Sequence, residues 1–459
     1  MKKSQYLPYF QNKKITVMGI GLLGRGVGDI DFLASAGADI IATDLRSKKT
    51  LKSSLATLKE HKNITYTLDK HRIGDFRDRD LILHAAGIQP DNKYLQAAQK
   101  EGIDRYMSFA LAMDILNKEG VACTVIGITG TKGKSTTTGL IEALLKEAGL
   151  SYHLAGNIKG VSNLPLIKNV HDGDIILAEL DSWQLQNLHD IAWSPHISVF
   201  TNFFEDHMNY YKGSMQRYFR DKSAIFRYQK PDDHLILTPN AMKAITTYKE
   251  GVPKAHIHSV DFQTLPKSWD YTIYGTHNEQ NISLAHELGV VLGIAKKTIK
   301  KALTEFKGVE GRFEYLGTSS KRNLLFYNDN NSTTPGSTIS SLSSLKTRYP
   351  YRNIVLIAGG ADKEFHYDTL GAYIAEHISH AFLFSGKASD KLCSHFPAEF
   401  SSYTKVLSMP TAFNLALRQA EDGDIIVLSP AAASFGLFSN EYERGDLFVE
   451  RVKRYLRNA

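Results

Sequence analysis

The stretch GITGTKGKSTTTGL, Gly127–Leu140, opens on the apolar run TVIGITG and continues into STTTGLIEALLKEAG, whose apolar residues recur at helical spacing. Strand, glycine-bearing turn and helix, in that order, form the context in which backbone N–H groups at a helix N-terminus hold phosphate. Gly130 and Gly133 leave room for those amides to wrap phosphate oxygens, and Lys134 offers a cation to the outer phosphates. The Ser135 hydroxyl is a hard-oxygen ligand suited to Mg²⁺. The stretch departs from the general expression G-x-x-x-x-G-K-[ST], because Ile128 stands six places before Lys134. Its strand–turn–helix setting carries the reading past that departure and makes the middle of the chain an α/β domain built around a nucleotide.

Outward from the loop the same alternation repeats. Upstream, KITVMGIG leads into Gly19-Ile20-Gly21-Leu22-Leu23-Gly24, then a helical RGVGDIDFLASAG, then DIIATD ending at Asp44, twenty positions after Gly24. At that spacing a carboxylate can reach a ribose hydroxyl, so a nucleotide fits here, as does a plain strand-to-helix turn. RDLILHAAGI ends in small residues, Ala85-Ala86-Gly87, and LNKEGVAC reads as a linker. Downstream, DIILAEL and ISVFTNF end in polar residues at the carboxyl edge of a parallel sheet. Glu179 stands where a second-strand carboxylate meets a bound Mg²⁺, and TNFFEDHMNYY gathers Glu205, Asp206 and His207. Past the joint FKGVEGRFEYLG, the strands NLLFYND, NIVLIAGG, HAFLFSG and DIIVLSP alternate with helical patterns. At roughly 100–200 residues per domain, 459 residues make about three domains. The expected fold is α/β throughout. It comprises a Rossmann-like N-terminal domain at 1–118, a central P-loop ATPase-type domain with a mostly parallel sheet at 119–308, and a Rossmann-like C-terminal domain at 309–459.

Composition excludes several other classes. With 42% hydrophobic and 22% charged residues the chain is neither disordered nor fibrous. MKKSQYLPYFQNKK precedes only a short apolar run broken by glycine, so a leader or membrane span is not expected and the cytoplasm is. Cys123 and Cys393 alone make no disulfide framework or cysteine metal site. The net charge of +7 comes without a dense basic block interleaved with aromatics, which points to small anionic substrates rather than nucleic acid.

GTKGKS, AELDSWQLQ, NFFEDHMNYY, GTHNEQN, GRFE and LSPAAASFGLFSNEYERG, in this order, resemble the Mur ligases over essentially the whole chain. The loop fits that family's shorter G-T-x-G-K-[ST] form. The resemblance implies a monomeric enzyme of peptidoglycan precursor synthesis that spends ATP, with Mg²⁺, to join D-glutamate to UDP-N-acetylmuramoyl-L-alanine through an acyl phosphate. It makes Gly130, Thr131, Lys132, Gly133, Lys134, Ser135 and Thr136 the phosphate cradle. Lys134, Glu179, His207 and Lys222 become the catalytic set, with Ser135, Glu179, His207 and Lys222 around the metal. Lys222, fifteen residues after His207, stands where the family carries a lysine carbamylated by CO₂; read from the residues alone, it is a lysine on a helix surface.

By the same resemblance, His277, Asn278 and Asn281 meet the ATP base, and Arg312 and Asp329 close over ATP by a motion hinged near residues 307–312. Leu22, Leu23, Asp44, Arg46, Gly87, Asn157 and Asp181 meet the UDP-sugar peptide, while Lys363 and Ser434 hold the carboxylates of the incoming amino acid. The chain departs from the family at Asn331 (lysine expected), Asp181 (serine), Tyr210 (arginine), Glu441 (aromatic) and Lys132 (asparagine). Those departures leave a related ligase with another amino acid as the alternative. A dehydrogenase built on the first glycine motif would leave the central loop idle. A nucleotide-sensing binding protein would not need Lys222, Lys363 and Ser434.

Overall fold

The apolar runs become strands in a computed structural model that describes every residue except Leu23, Lys267, Tyr274, Phe435, Ser439, Asn440 and Ala459, and every side chain except also those of Thr264 and Glu441. The first sheet holds β1 (Lys14–Met18), β2 (Asp39–Asp44), β3 (Ile64–Leu68), β4 (Leu81–His84) and β5 (Asp104–Tyr106). All its pairs are parallel, in the order β3-β2-β1-β4-β5. The chain reverses direction across the sheet between β1 and β4. That switch point opens a crevice at the strands' carboxyl ends, and the glycine motif after β1 and Gly87 after β4 both border it.

The second sheet is also wholly parallel, with β6 (Thr124–Thr129), β7 (Tyr152–Gly156), β8 (Ile175–Glu179), β9 (Ile197–Phe200), β10 (His234–Leu237) and β11 (His256–Ser259) in the order β11-β10-β9-β6-β8-β7. β8 and β9 are buried along their whole length, as unbroken apolar runs in a sheet covered on both faces should be. Because β6 lies between β8 and β9, the loop after β6 is flanked by the ends of both neighbours. One apolar core joins the two sheets, running from Ile15 and Leu33 through Phe109 and Leu166 to Leu185 and Phe219.

The third sheet comprises β12 (Glu314–Thr318), β13 (Leu325–Asn328), β14 (Ile354–Gly359), β15 (His380–Phe384), β16 (Tyr403–Val406) and β17 (Ile425–Leu428), ordered β12-β13-β17-β14-β15-β16. Only β12 runs antiparallel, with a register shift between Tyr315 and Gly317. The α/β class and the parallel sheets expected from the sequence are what the chain forms. It divides into two compact units, Met1–Leu265 with Gln280–Ile299, and Pro266–Glu279 with Lys300–Ala459. The first unit carries the first two sheets and the second carries the third. Residues 307–312 lie inside the second unit. Among the described residues no helix is long and apolar enough to cross a membrane.

Candidate active site

The loop after β6 turns on two glycines that no other residue could replace without strain. Gly130 has φ 148° and Gly133, which caps the helix Lys134–Glu147, has φ 83°. A Cβ on Gly130 would collide with Thr201 Oγ1, and one on Gly133 with Asn281 Oδ1. The loop is pinned from β9: Thr131 N donates to Asn202 O (2.9 Å), Lys132 N to Asn202 Oδ1 (2.8 Å), and Thr201 Oγ1 to Lys132 O (2.6 Å). Lys134 Nζ folds onto the loop carbonyls of Gly130 (3.1 Å) and Thr131 (3.2 Å). In the first turn of the helix, with Thr136 beside it, Ser135 donates through Oγ to Glu179 Oε1 (3.0 Å), at the buried end of β8. A hydroxyl and a carboxylate oxygen beside a phosphate cradle form a hard-oxygen pair that fits Mg²⁺. Among the described residues no three His, Cys, Asp or Glu side chains converge on a metal position, so the fit rests on Ser135 and Glu179 together with oxygens from elsewhere.

Lys222 is the largest departure from the bare residue reading. It is not on a helix surface: it is 1% exposed, with Nζ donating to Gly130 O (2.8 Å) and Thr129 Oγ1 (3.3 Å) and lying 5.1 Å from the Tyr218 ring centroid. The helix Met215–Ser223 turns Tyr218, Phe219, Asp221 and Lys222 inward, a face that i, i+4 spacing shares between Tyr218 and Lys222. Burial, helped by the charge of Lys134, draws the Lys222 amine well below the ordinary lysine range. His207 sits in the left-handed region (φ 56°), its backbone N–H on Asp206 Oδ1 (2.9 Å) and its ring 5.0 Å from that of Trp183. Burial lowers its pKa, with Asp206 opposing and the charges of Lys134 and Lys222 assisting. Lys132, one of the departures from the family, is exposed and paired with Asp206 at 3.4 Å. Thr129, Thr201, Asn202 and Tyr218 were not singled out from the sequence; their only signal was position at the strand ends and on the Lys222 helix.

Asp44 ends β2 with both oxygens engaged. Oδ2 accepts N–H from Ile20 (3.0 Å) and Gly21 (3.1 Å), and Oδ1 accepts from Arg46 N (2.9 Å) and Nη1 (3.3 Å). It therefore braces the glycine motif and Arg46 rather than standing open for a ribose. Leu22 is exposed, Leu23 lies outside the described residues, and Gly87 (φ 85°) approaches the Trp183 ring. Asn157 follows β7, its N–H on Glu179 O (2.6 Å) and its Oδ1 accepting from Arg25. Asp181 caps the helix Ser182–Asp190 through Gln184 N (2.8 Å) in a capping box, which accounts for an acid where the family carries serine. Tyr210 donates to Gln186 Oε1 (3.2 Å) and packs on Trp183.

The predicted ATP-base group divides between the units. Asn281 is buried in the first, accepting from Thr137 Oγ1 (3.2 Å), while His277 and the buried Asn278 belong to the second. Within the second unit the loops after β13, β14 and β17 share one sheet edge. Buried Asp329 accepts from Ser429 Oγ (2.8 Å) and Phe313 N (3.1 Å), and burial raises its pKa to about 6. Lys363 Nζ donates to Thr333 Oγ1 (3.2 Å), Ser434 is buried, and Arg312 is exposed. Asn331 N donates to Gly311 O (2.8 Å), which ties the loop after β13 to the turn that carries Arg312. Glu441 opens the helix Glu441–Asn458, and its side chain lies outside the described residues.

Comparison with known proteins gives this geometry a context. The family model for the Mur ligase middle domain matches residues 128–300, and that for the Mur ligase glutamate ligase domain matches residues 311–432. The chain is 34% identical to the UDP-N-acetylmuramoylalanine--D-glutamate ligase of Borreliella burgdorferi, over 97% of this chain and 99% of that one. It is 32% identical to the enzyme of the same name from Acetivibrio thermocellus, over 98% of each. Among solved structures it shares its fold with the UDP-N-acetylmuramate-alanine ligase MurC of Thermotoga maritima (TM-score 0.61, 18% identity, 96% of this chain and 100% of that one). The MurF ligase of the same organism, solved with ADP, gives a TM-score of 0.59 at 17% identity, over 99% and 97%.

Proposed function

The chain belongs to the Mur ligase family, and from that premise we propose that it is an ATP-dependent ligase that joins D-glutamate to UDP-N-acetylmuramoyl-L-alanine in peptidoglycan precursor synthesis. The observation that carries the reading is the convergence at one loop of a hydroxyl–carboxylate pair, Ser135 and Glu179, and a buried lysine, Lys222, against Gly130. Amide formation from a free carboxylate is uphill in water, so the carboxylate must first be activated. A carboxylate oxygen of the alanyl group attacks the γ-phosphorus of ATP and the bond to ADP breaks. The amine of D-glutamate then attacks the carbonyl carbon, loses a proton, and phosphate leaves. Charge spreads over the phosphoryl oxygens during transfer, and Lys134, at the start of the helix Lys134–Glu147, is the group assigned to stabilise it. Mg²⁺, when bound by Ser135, Glu179 and a carbamylated Lys222, with His207 beside them, supplies further positive charge to the phosphates.

A lowered pKa favours the neutral amine of Lys222, the form that adds CO₂: the nitrogen lone pair forms an N–C bond as a C=O π bond opens, one proton departs, and the neutral amine becomes an anion. We assign UDP-sugar peptide binding to 1–118, ATP and Mg²⁺ to 119–308 and the amino acid to 309–459, in a cytoplasmic monomer. Lys363 and Ser434, on neighbouring loops of the third sheet, are the groups assigned to the amino-acid carboxylates. The test is phosphate release from ATP with UDP-N-acetylmuramoyl-L-alanine and a panel of D- and L-amino acids. Release that requires both the UDP-sugar peptide and D-glutamate supports the reading. Release with a different amino acid makes the chain a related ligase of altered specificity, and release indifferent to both acceptors refutes it.

A further inference from the structure

Three histidines share one face at the outer edge of the second sheet. β11 is the outermost strand and pairs in parallel with β10, with His234 opposite His256 and Ile236 opposite His258. Residues two apart along a strand, and residues opposite each other across a pair, point to the same face, so His234, His256 and His258 project together. His234 and His256 open their strands, at the amino end of a parallel sheet whose phosphate loop follows the carboxyl end of β6. The cluster therefore lies at the opposite end of the sheet from the loop chemistry, which makes no use of it.

Two of the rings meet. His234 Nδ1 lies 3.1 Å from His258 Nε2, and His258 Nδ1 lies 2.9 Å from Glu287 Oε1 on the helix Thr276–Val291. A carboxylate only accepts, so His258 Nδ1 is the donor to Glu287, and the neutral ring keeps its lone pair on Nε2, facing His234. A carboxylate behind the far nitrogen of a histidine is the arrangement that metal ligands adopt, because it fixes the tautomer and the ring orientation and makes the ligating nitrogen more basic. The spacing of the two facing nitrogens suits a single ion. Placed about 2.0–2.1 Å from one Zn²⁺, nitrogens 3.1 Å apart subtend about 100° at the ion, near the tetrahedral angle. His256 is exposed, its ring centroid 5.5 Å from that of His234. Among the described residues no three such side chains converge on one point, so water fills the remaining positions around the ion.

We propose that His234 and His258, with Glu287 orienting His258, form a metal site on the first unit that takes a divalent transition ion of the zinc, nickel and copper class. Imidazole nitrogen suits those ions, whereas Mg²⁺ and Ca²⁺ demand oxygen, so the site does not compete for the Mg²⁺ assigned to Ser135 and Glu179. The ion takes the place of the hydrogen between the two rings, and His234 then carries its proton on Nε2. Bound there, it ties the edge strand β11 to β10 and, through Glu287, to the helix from which Asn281 accepts Thr137 Oγ1.

The test is calorimetric titration of the full chain with Zn²⁺ and with Ni²⁺, without a polyhistidine tag and with Mg²⁺ in excess. His234→Gln, His258→Gln and Glu287→Gln are compared with wild type, each shown to be folded by a melting curve in the presence of a chelator. Saturable binding of a single ion is expected. Glu287→Gln keeps an acceptor for His258 but removes the charge, and should weaken binding by about 10–100-fold, the cost of losing the group behind a histidine ligand. Either histidine variant should weaken it at least as much. Electron paramagnetic resonance of bound Cu²⁺ should show two imidazole nitrogens in wild type and one fewer in His258→Gln; where a histidine variant does not fold, the wild-type spectrum and Glu287→Gln carry the test. Wild-type protein with no saturable binding overturns the proposal. So does binding that the folded variants leave unchanged, in which case the three side chains form a hydrogen-bonded chain and nothing more.

Discussion

Truncating Lys222 to alanine isolates the step on which the account of the active loop turns. The side chain is buried against Gly130 and Thr129, so the change removes Cγ, Cδ, Cε and Nζ from an enclosed space rather than from solvent. If the working form is a carbamate, the variant loses an anion that sits among Lys134 and the phosphates, and with it a pre-placed charge. Losing one such pre-organised group costs about 10²–10³ in kcat, or about 3–4 kcal/mol of transition-state stabilisation. The room left by those atoms sets the rescue: acetate is smaller than the carbamylated side chain that the truncation removes, so small carboxylates should restore part of kcat. Acetamide, of the same size but neutral, should not. The assay is phosphate release under saturating substrates, with a melting curve to show that Lys222→Ala is folded. Near-wild-type turnover in Lys222→Ala would refute the carbamate, and equal rescue by acetate and acetamide would show that volume rather than charge was missing.

Three further outcomes follow from other residues. Glu179→Gln should raise the Mg²⁺ concentration needed for half-maximal turnover by about 10–100-fold, read from an Mg²⁺ titration. Asp181→Ala should cost about 1 kcal/mol of stability by denaturant unfolding, the usual worth of an N-cap, whereas Asp181→Ser should cost little because serine caps comparably. Asp329, with its pKa raised to about 6 by burial, binds a proton in the native state that the unfolded chain releases at lower pH. Its stabilising contribution is complete below the unfolded value and is lost as pH rises through about 6. The loss amounts to about 3 kcal/mol across that window, and Asp329→Asn should abolish this part of the pH dependence.

How legible all this was in the sequence depended on whether a residue's role is written in its local pattern. The loop Gly130–Ser135 and the strands of the sheet edge were legible because glycine turns and unbroken apolar runs have a direct physical cause. A short, mostly exposed strand such as β11, with the sequence HIHS, carries too few apolar residues to leave a pattern in the sequence. Lys222 was not legible from its own helix, since YFRDKSAIF looks the same whether its lysine faces water or the loop; only the resemblance marked it. The spacing of Asp44 from the glycines was legible, but not that Oδ2 would accept from the motif's own N–H groups and Oδ1 from Arg46. Asp181 could have been recognised as a helix cap from Asp181 and Gln184 three residues apart.

The central claim is that the carboxylate is activated as an acyl phosphate before the amine attacks. It is tested most directly by labelling both oxygens of the alanyl carboxylate of UDP-N-acetylmuramoyl-L-alanine with ¹⁸O and following the inorganic phosphate by mass spectrometry. The carboxylate oxygen that attacks the γ-phosphorus leaves with it when the amide forms. The account therefore predicts one ¹⁸O in the phosphate for each D-glutamate joined, with the other retained in the amide. Product formed with unlabelled phosphate would contradict it.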